Sequence, residues 1–204
     1  MVSAEQALAR LREGNARFTA GKTHHPHHRA PAEVAAEQHP FAVILGCSDS
    51  RVPAEMVFDQ DLGDLFVIRI AGNIVAPSQI GSVEFAASQF GTRLVVVLGH
   101  SHCGAVAATL SALQNPARAG SESLQFIIDR VRPAVAPLLE ANGRDHEALM
   151  QAAVRANVQA SVRALCEGSP ILQQLMAEDD LRVVGAEYSL ETGEVLFLDS
   201  PSGA

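Results

Sequence analysis

The chain has 204 residues, 48% of them hydrophobic and 19% charged, which suits one soluble globular domain spanning 1–204 with a sizeable core. A formal net charge of −8 with no basic cluster excludes nucleic acid as an expected partner. Three cysteines, an odd number, argue against a disulfide framework and for a reducing cytoplasm.

The first residues, "MVSAEQALARLREGN", carry charge throughout and hold no apolar segment of the kind a signal peptide needs. No apolar run approaches the ~18 residues of a membrane span, so no membrane partner is expected. Residues 3–18 read as an amphipathic helix with Leu8, Leu11 and Phe18 on or near one face. Ser3 and Gln6 stand at the spacing of a capping box. The apolar stripe of this helix is expected to exceed what the core covers, leaving a face for a second subunit. "GKTHHPHHRAP" (21–31) then reads as a polar arm, completing an N-terminal helix and arm over 1–37. Its histidines at 24, 25, 27 and 28 lack any pattern that fixes a coordination geometry, and a solvated loop is expected there.

"FAVIL" (41–45), "LFVIRI" (65–70) and "LVVVL" (94–98) are short, continuous apolar runs rich in β-branched residues. Such runs are strands buried on both faces, the habit of a parallel sheet. Helices are predicted between them, one opening near Pro53 and one capped by Ser78 and running to Phe90. After Cys103 the chain is mostly helical to Met176, with Ser169-Pro170 opening the last helix. "LRVVGAEYSL" and "EVLFLD" close it as two strands around "ETG", with Gly193 in the turn. The expected fold is α/β: a mainly parallel sheet of about four strands plus an antiparallel C-terminal edge strand, flanked by helices.

In such sheets ligands bind beyond the carboxyl ends of the strands. Two similar motifs fall there, "LGCSDSR" (45–51) and "LGHSHCG" (98–104). A lone cysteine is more often a small buried hydrophobe, which is the reading for Cys166. Cys47 after one strand, with His100 and Cys103 after another, form a stronger conjunction. Two thiolates and an imidazole select Zn²⁺ and leave its fourth tetrahedral position open. A structural zinc would need a fourth protein ligand, for which His102 and Cys166 are the candidates. Asp49 and Arg51 follow Cys47 at alternate positions and can point the same way in extended chain. A carboxylate there can coordinate the metal or accept a hydrogen bond from its bound hydroxide, and a guanidinium can hold it away.

With "CSDSR" at 47–51 and "HSHCG" at 100–104, the chain resembles the β-class carbonic anhydrases. The similarity covers most of 38–106, and "AEYSLETGEV" also fits. The resemblance implies one Zn²⁺ per chain on Cys47, His100 and Cys103, and Asp49–Arg51 as the active-site dyad. Asp49 is a possible fourth ligand in an inactive state. It also implies a substrate pocket made by Gln38, Phe66, Ala71, Phe85 and Gly104; the family often has Val at the position of Ala71 and Tyr at that of Phe85. The implied reaction is reversible hydration of CO₂ to bicarbonate and a proton by zinc-bound hydroxide, in a cytoplasmic homodimer or higher homo-oligomer whose neighbouring subunits contribute pocket residues. Because two thiolates already neutralise the metal, activity is expected to favour alkaline pH.

Some members carry a second bicarbonate site built from a Trp, an Arg and a Tyr. Arg69 and Tyr188 match two of these, but Ile44 stands where the Trp would be, so strong bicarbonate inhibition is not expected. Three other readings stand beside this one: COS or CS₂ as substrate, a zinc-stabilised interaction protein, and a nucleotide-binding domain. "LGHSHCGA" lacks the glycine spacing a phosphate loop would need.

Overall fold

The apolar runs pair side by side as parallel strands: β1 (Ala42–Gly46), β2 (Leu65–Arg69), β3 (Leu94–His100) and β4 (Arg182–Tyr188). A short antiparallel β5 (Val195–Phe197) follows on β4, giving the order β2-β1-β3-β4-β5. The computed structural model describes residues 2–24, 31–115, 121–140 and 145–198. The described helices are α1 (Ala4–Thr19), α2 (Pro31–Val34), α3 (Ala54–Val57), α4 (Pro77–Gln89), α5 (Gly104–Gln114), α6 (Glu122–Glu140), α7 (His146–Gly168) and α8 (Pro170–Glu178). A 3₁₀ turn, Ala71–Asn73, follows β2.

The continuous apolar runs are explained by burial on both sheet faces. Successive side chains of a strand point to opposite faces. Ile44, Val96, Leu98 and Val184 therefore meet Leu11, Val57 and Phe58 on one side. Val43, Leu45, Val95 and Val97 meet Val83, Val158, Leu165 and Leu172 on the other. Each such buried aliphatic side chain contributes about 1.5–3 kcal/mol relative to exposure. A third cluster at the carboxyl ends of β1 and β3 surrounds Cys47 and Cys103 with Ile74, Val106, Leu110, Val131 and Val154. Gly99 admits α7 there: a Cβ at this position would stand 2.4 Å from Val158 Cγ2.

Helix α1 begins with the expected capping box, Gln6 N–H donating to Ser3 Oγ and Ser3 N–H to Gln6 Oε1. Of its apolar stripe, Leu11 is fully buried within the same chain, as are Ala4 and Ala7, while Leu8 and Phe18 are half-buried against the core. Gly14 makes the close approach possible, since a Cβ would fall 1.8 Å from the Phe58 carbonyl oxygen. Asn15 Nδ2 donates to the Val57 and Gly193 carbonyls, and Arg10 pairs with Asp64 at 3.0 Å. The helix is thus locked to the chain that carries it.

Ser78 is not the cap of α4. Ala76 holds that position and Pro77 is the first helical residue, because a Pro there has no N–H to satisfy and a preset φ. At α8 the predicted start holds, with Ser169 Oγ accepting from Leu172 N–H at 3.1 Å. Of the arm histidines, positions 25, 27 and 28 lie outside the described residues, and the His24 N–H donates to Asp59 Oδ1. Among the described residues no helix is long and apolar enough to cross a membrane.

Candidate metal centre

Parallel pairing of β1 with β3 sets Gly46 opposite Leu98, so the residues just beyond them converge. Cys47 follows β1, His100 ends β3, and Cys103 is the N-cap of α5. The chain turns back between the last two through His102, whose φ of 54° is left-handed. The ligand atoms of Cys47, His100 and Cys103 all lie within 4.8 Å of one another, and all three residues are buried.

His100 shows how the group is poised. Its Nδ1 lies 2.8 Å from the Ser101 carbonyl oxygen, which can only accept, so Nδ1 carries the proton and Nε2 keeps its lone pair. That Nε2 is fully buried and has no hydrogen-bond partner among the described residues. A buried polar atom without a partner is costly, and here it faces two sulfurs. The Cys47 thiol is pulled down by its hydrogen bond with Cys103, against burial, and further by His100 and the Gly72 N–H. Sharing that proton, and then burial, push Cys103 up. A soft cation would displace the proton held between the two sulfurs and bind both, so a donor set of two sulfurs and a free imidazole nitrogen fits Zn²⁺.

Asp49 and Arg51 stand on the rim. Arg51 Nε donates to Asp49 Oδ1 at 2.9 Å and Nη2 to Oδ2 at 2.8 Å, a bidentate grip completed by the Arg51 backbone N–H at 3.0 Å. This hydrogen bonding holds the Asp49 carboxyl well below the usual carboxylate range. Asp49 Oδ2 is 3.9 Å from His100 Nε2, beside the ligand cluster. Arg69 fixes the Cys47–Asp49 loop from below, donating to the carbonyl oxygens of Cys47 and Asp49.

The pocket residues divide into two groups. Ala71 opens the 3₁₀ turn beside Cys47, and Gly104 begins α5 next to Cys103, where a Cβ would meet nothing within 4 Å. Gln38 precedes β1 and is exposed, near Pro40, whose carbonyl accepts from Thr92 ahead of β3. Phe66 is opposite Val43, near the start of β1, and packs with Phe85 and Phe90 at centroid distances of 6.2 and 6.0 Å. Gln38, Phe66 and Phe85 are therefore toward the opposite end of the sheet from the chain's own Cys-His-Cys cluster. Phe66 lies in β2, at the edge of the sheet, with Phe85 packed on it and 51% exposed.

The family model for carbonic anhydrase matches residues 42–195. The chain belongs to the β-class carbonic anhydrases. It is 40% identical over 193 residues to carbonic anhydrase 2 of Mycobacterium tuberculosis, covering 93% of this chain and 90% of that one. It is also 40% identical over 188 residues to the carbonic anhydrase of Mycolicibacterium smegmatis, covering 91% and 88%. Among solved structures, a tetrameric β-carbonic anhydrase of Sordaria macrospora superposes with a TM-score of 0.73 at 28% identity, covering 83% of this chain and 85% of that one. A Coccomyxa β-carbonic anhydrase in complex with acetazolamide gives 0.72 at 31%, covering 82% and 75%. The protein is therefore an enzyme of this family, and family and fold together support CO₂ hydration.

Two parts of this carbonic anhydrase were not marked as site features by sequence reasoning: the Gly72 N–H, which donates to Cys47 Sγ at 3.3 Å, and the α7 residues Asn157 and Ser161 behind it. Two polar residues four apart on the same helix face as Val154, Val158, Val162 and Leu165 were the available signal.

Proposed function

We propose that this chain, folded as one domain over 1–204, hydrates CO₂ reversibly to bicarbonate and a proton with one Zn²⁺ held by Cys47, His100 and Cys103. The observation that carries the reading is the buried, unpartnered His100 Nε2 set between two cysteines and beside the Asp49–Arg51 pair. When bound, zinc supplies the Lewis acidity that makes water a nucleophile near neutral pH. Asp49, kept ionised by Arg51, accepts a hydrogen bond from the attacking hydroxyl and orients its lone pair toward carbon. Arg51 and Arg69 hold Asp49 and its loop in place. Gln38 donates its amide N–H to the CO₂ oxygen on which charge grows. Phe66, Ala71, Phe85 and Gly104 supply a small, largely apolar surface suited to CO₂.

Gln38, Phe66 and Phe85 are too far along the sheet to serve their own chain's cluster, so they act on a second copy. A homodimer formed across the free β2 edge, burying the half-exposed Phe85, brings them to the neighbour's Asp49. The three free cysteines agree with a cytoplasmic location.

A structural zinc is disfavoured by what the other candidates are doing. His102 Nε2 is engaged by Glu191, and Cys166 packs in a different apolar cluster from the one around Cys47 and Cys103. CO₂ hydration measured beside zinc content on one sample tests the proposal. One zinc per chain with hydration activity is expected. A chain that is fully loaded with zinc and inactive on CO₂ overturns the catalytic reading.

A further inference from the structure

Residues 157 and 161 lie on one face of α7, four apart, among Val154, Val158, Val162 and Leu165. Asn157 is 2% and Ser161 5% exposed. A buried amide and hydroxyl on so apolar a face are unfavourable unless each has a partner, so the partners indicate their task. Asn157 Nδ2 donates to the Gly72 carbonyl at 2.7 Å, and Ser161 Oγ to the Asn73 carbonyl at 2.9 Å.

Those carbonyls belong to the turn that donates to Cys47. Gly72 has φ 71° and Asn73 φ 44°, two consecutive left-handed residues, the second unfavourable for a side chain. A Cβ at position 72 would stand 3.0 Å from Ala105 Cβ, so the turn is pressed against α5. Such a conformation persists only where its surroundings impose it. The amide it presents points at sulfur, Gly72 N–H to Cys47 Sγ at 3.3 Å.

We infer that Asn157 and Ser161 are positioning residues of the metal centre, holding the Ala71–Asn73 turn so that the Gly72 N–H withdraws charge from the Cys47 sulfur. The inference rests on Cys47 being a zinc ligand. A thiolate that accepts a hydrogen bond donates less strongly to its metal, which leaves the metal the stronger acid. In a two-thiolate site this restores part of the acidity that the thiolates take from the metal. Hydrogen-bond partners of metal ligands commonly change metal affinity or activity by roughly 10–100-fold when removed.

The test uses the full chain loaded with Co²⁺ in place of zinc, whose sulfur-to-metal charge-transfer band reports thiolate charge directly. In Asn157→Leu and Ser161→Ala that band is expected to move to longer wavelength, and the rising limb of CO₂ hydration against pH to move to higher pH, because a more strongly donating sulfur leaves the metal the weaker acid. Ser161→Thr, which keeps the hydroxyl, is expected to restore the wild-type band. If Asn157→Leu does not fold, the Ser161 pair decides. Folded variants with lowered melting temperatures but an unchanged band and an unchanged pH profile overturn the inference and leave a purely structural role. If wild type itself shows no sulfur-to-cobalt band, the ligand assignment fails instead.

Discussion

Arg51 grips both oxygens of Asp49, at 2.9 and 2.8 Å, while Asp49 Oδ2 stays 3.9 Å from His100 Nε2. The carboxylate is thus held at the edge of the ligand cluster and kept from entering it. Removing the guanidinium in Arg51→Ala frees Asp49 to take a position on the metal. CO₂ hydration at pH 8 is expected to fall by roughly 10–100-fold with zinc content and far-UV circular dichroism preserved. Near-normal turnover in this variant would remove the pair from the mechanism.

Cys47→Ser is expected to lose zinc and activity together, whereas His102→Ala keeps its zinc. His102 is exposed and bonded to Glu191, so it contributes no ligand. Metal analysis after gel filtration checks both variants, and the reverse result would exchange the assignments.

The location of Gln38, Phe66 and Phe85 predicts separable losses. Gln38→Ala is expected to lower turnover by on the order of 10²–10³, as for other oxyanion donors, without loss of zinc. Phe85→Glu puts a charge on the β2 edge and is expected to yield monomers that keep their metal but have little activity. Sedimentation velocity beside the hydration assay reads both. A Phe85→Glu monomer with full activity would show that each centre is complete within one chain.

Bicarbonate is expected not to inhibit cooperatively. Ile44 is completely buried within β1, and Arg69 is already donating to the carbonyls of Cys47 and Asp49. An anion recruiting Arg69 would have to break those bonds and gain no indole N–H in return. Burying polar groups against Ile without partners costs roughly 1–3 kcal/mol. Initial rates against bicarbonate concentration at pH 7–8 check this, a steep sigmoidal loss being the contrary result.

Glu191 gives a pH prediction with a definite sign. Its carboxylate accepts from Ser101 Oγ, Ser189 Oγ and His102, tying the β4–β5 loop to the ligand loop. The Ser101 hydrogen bond first, then the others, lower its pKa from 4.5 to about 2. A carboxyl depressed on folding adds stability that is fully present above its unfolded value and is lost as pH falls through the folded one. The tether is therefore intact above about pH 4.5 and weakens down to about pH 2. Carboxyl ¹³C NMR of Glu191 is expected to titrate near the lower value; an ordinary midpoint would mean the tether does not form in solution.

What could be read from the chain itself was whatever depends on neighbours in sequence. β-Branched runs marked the buried parallel strands, Ser3 and Gln6 the capping box, and Ser169-Pro170 the start of α8. Cys47, His100 and Cys103 were legible because each lies just past an apolar run, and parallel pairing gathers such ends together. Asp49 and Arg51 are joined by a turn and not by the alternation of extended chain: Val52 N–H donates to the Asp49 carbonyl and Arg51 N–H to Asp49 Oδ1. Only tertiary structure decided the rest, because those interactions join residues far apart in the chain. Asn157 reaches Gly72 across 85 positions and Ser161 reaches Asn73 across 88, pairings that no local pattern encodes. The stripe of α1 was visible in its periodicity, but not that Gly14 lets the helix close onto the Phe58 carbonyl and bury Leu11 within the same chain. Gln38 lies within ten residues of Cys47, yet β1 runs between them as an extended rod. Strand direction thus carries Gln38 to the opposite end of the sheet, away from the cluster its motif suggests it serves.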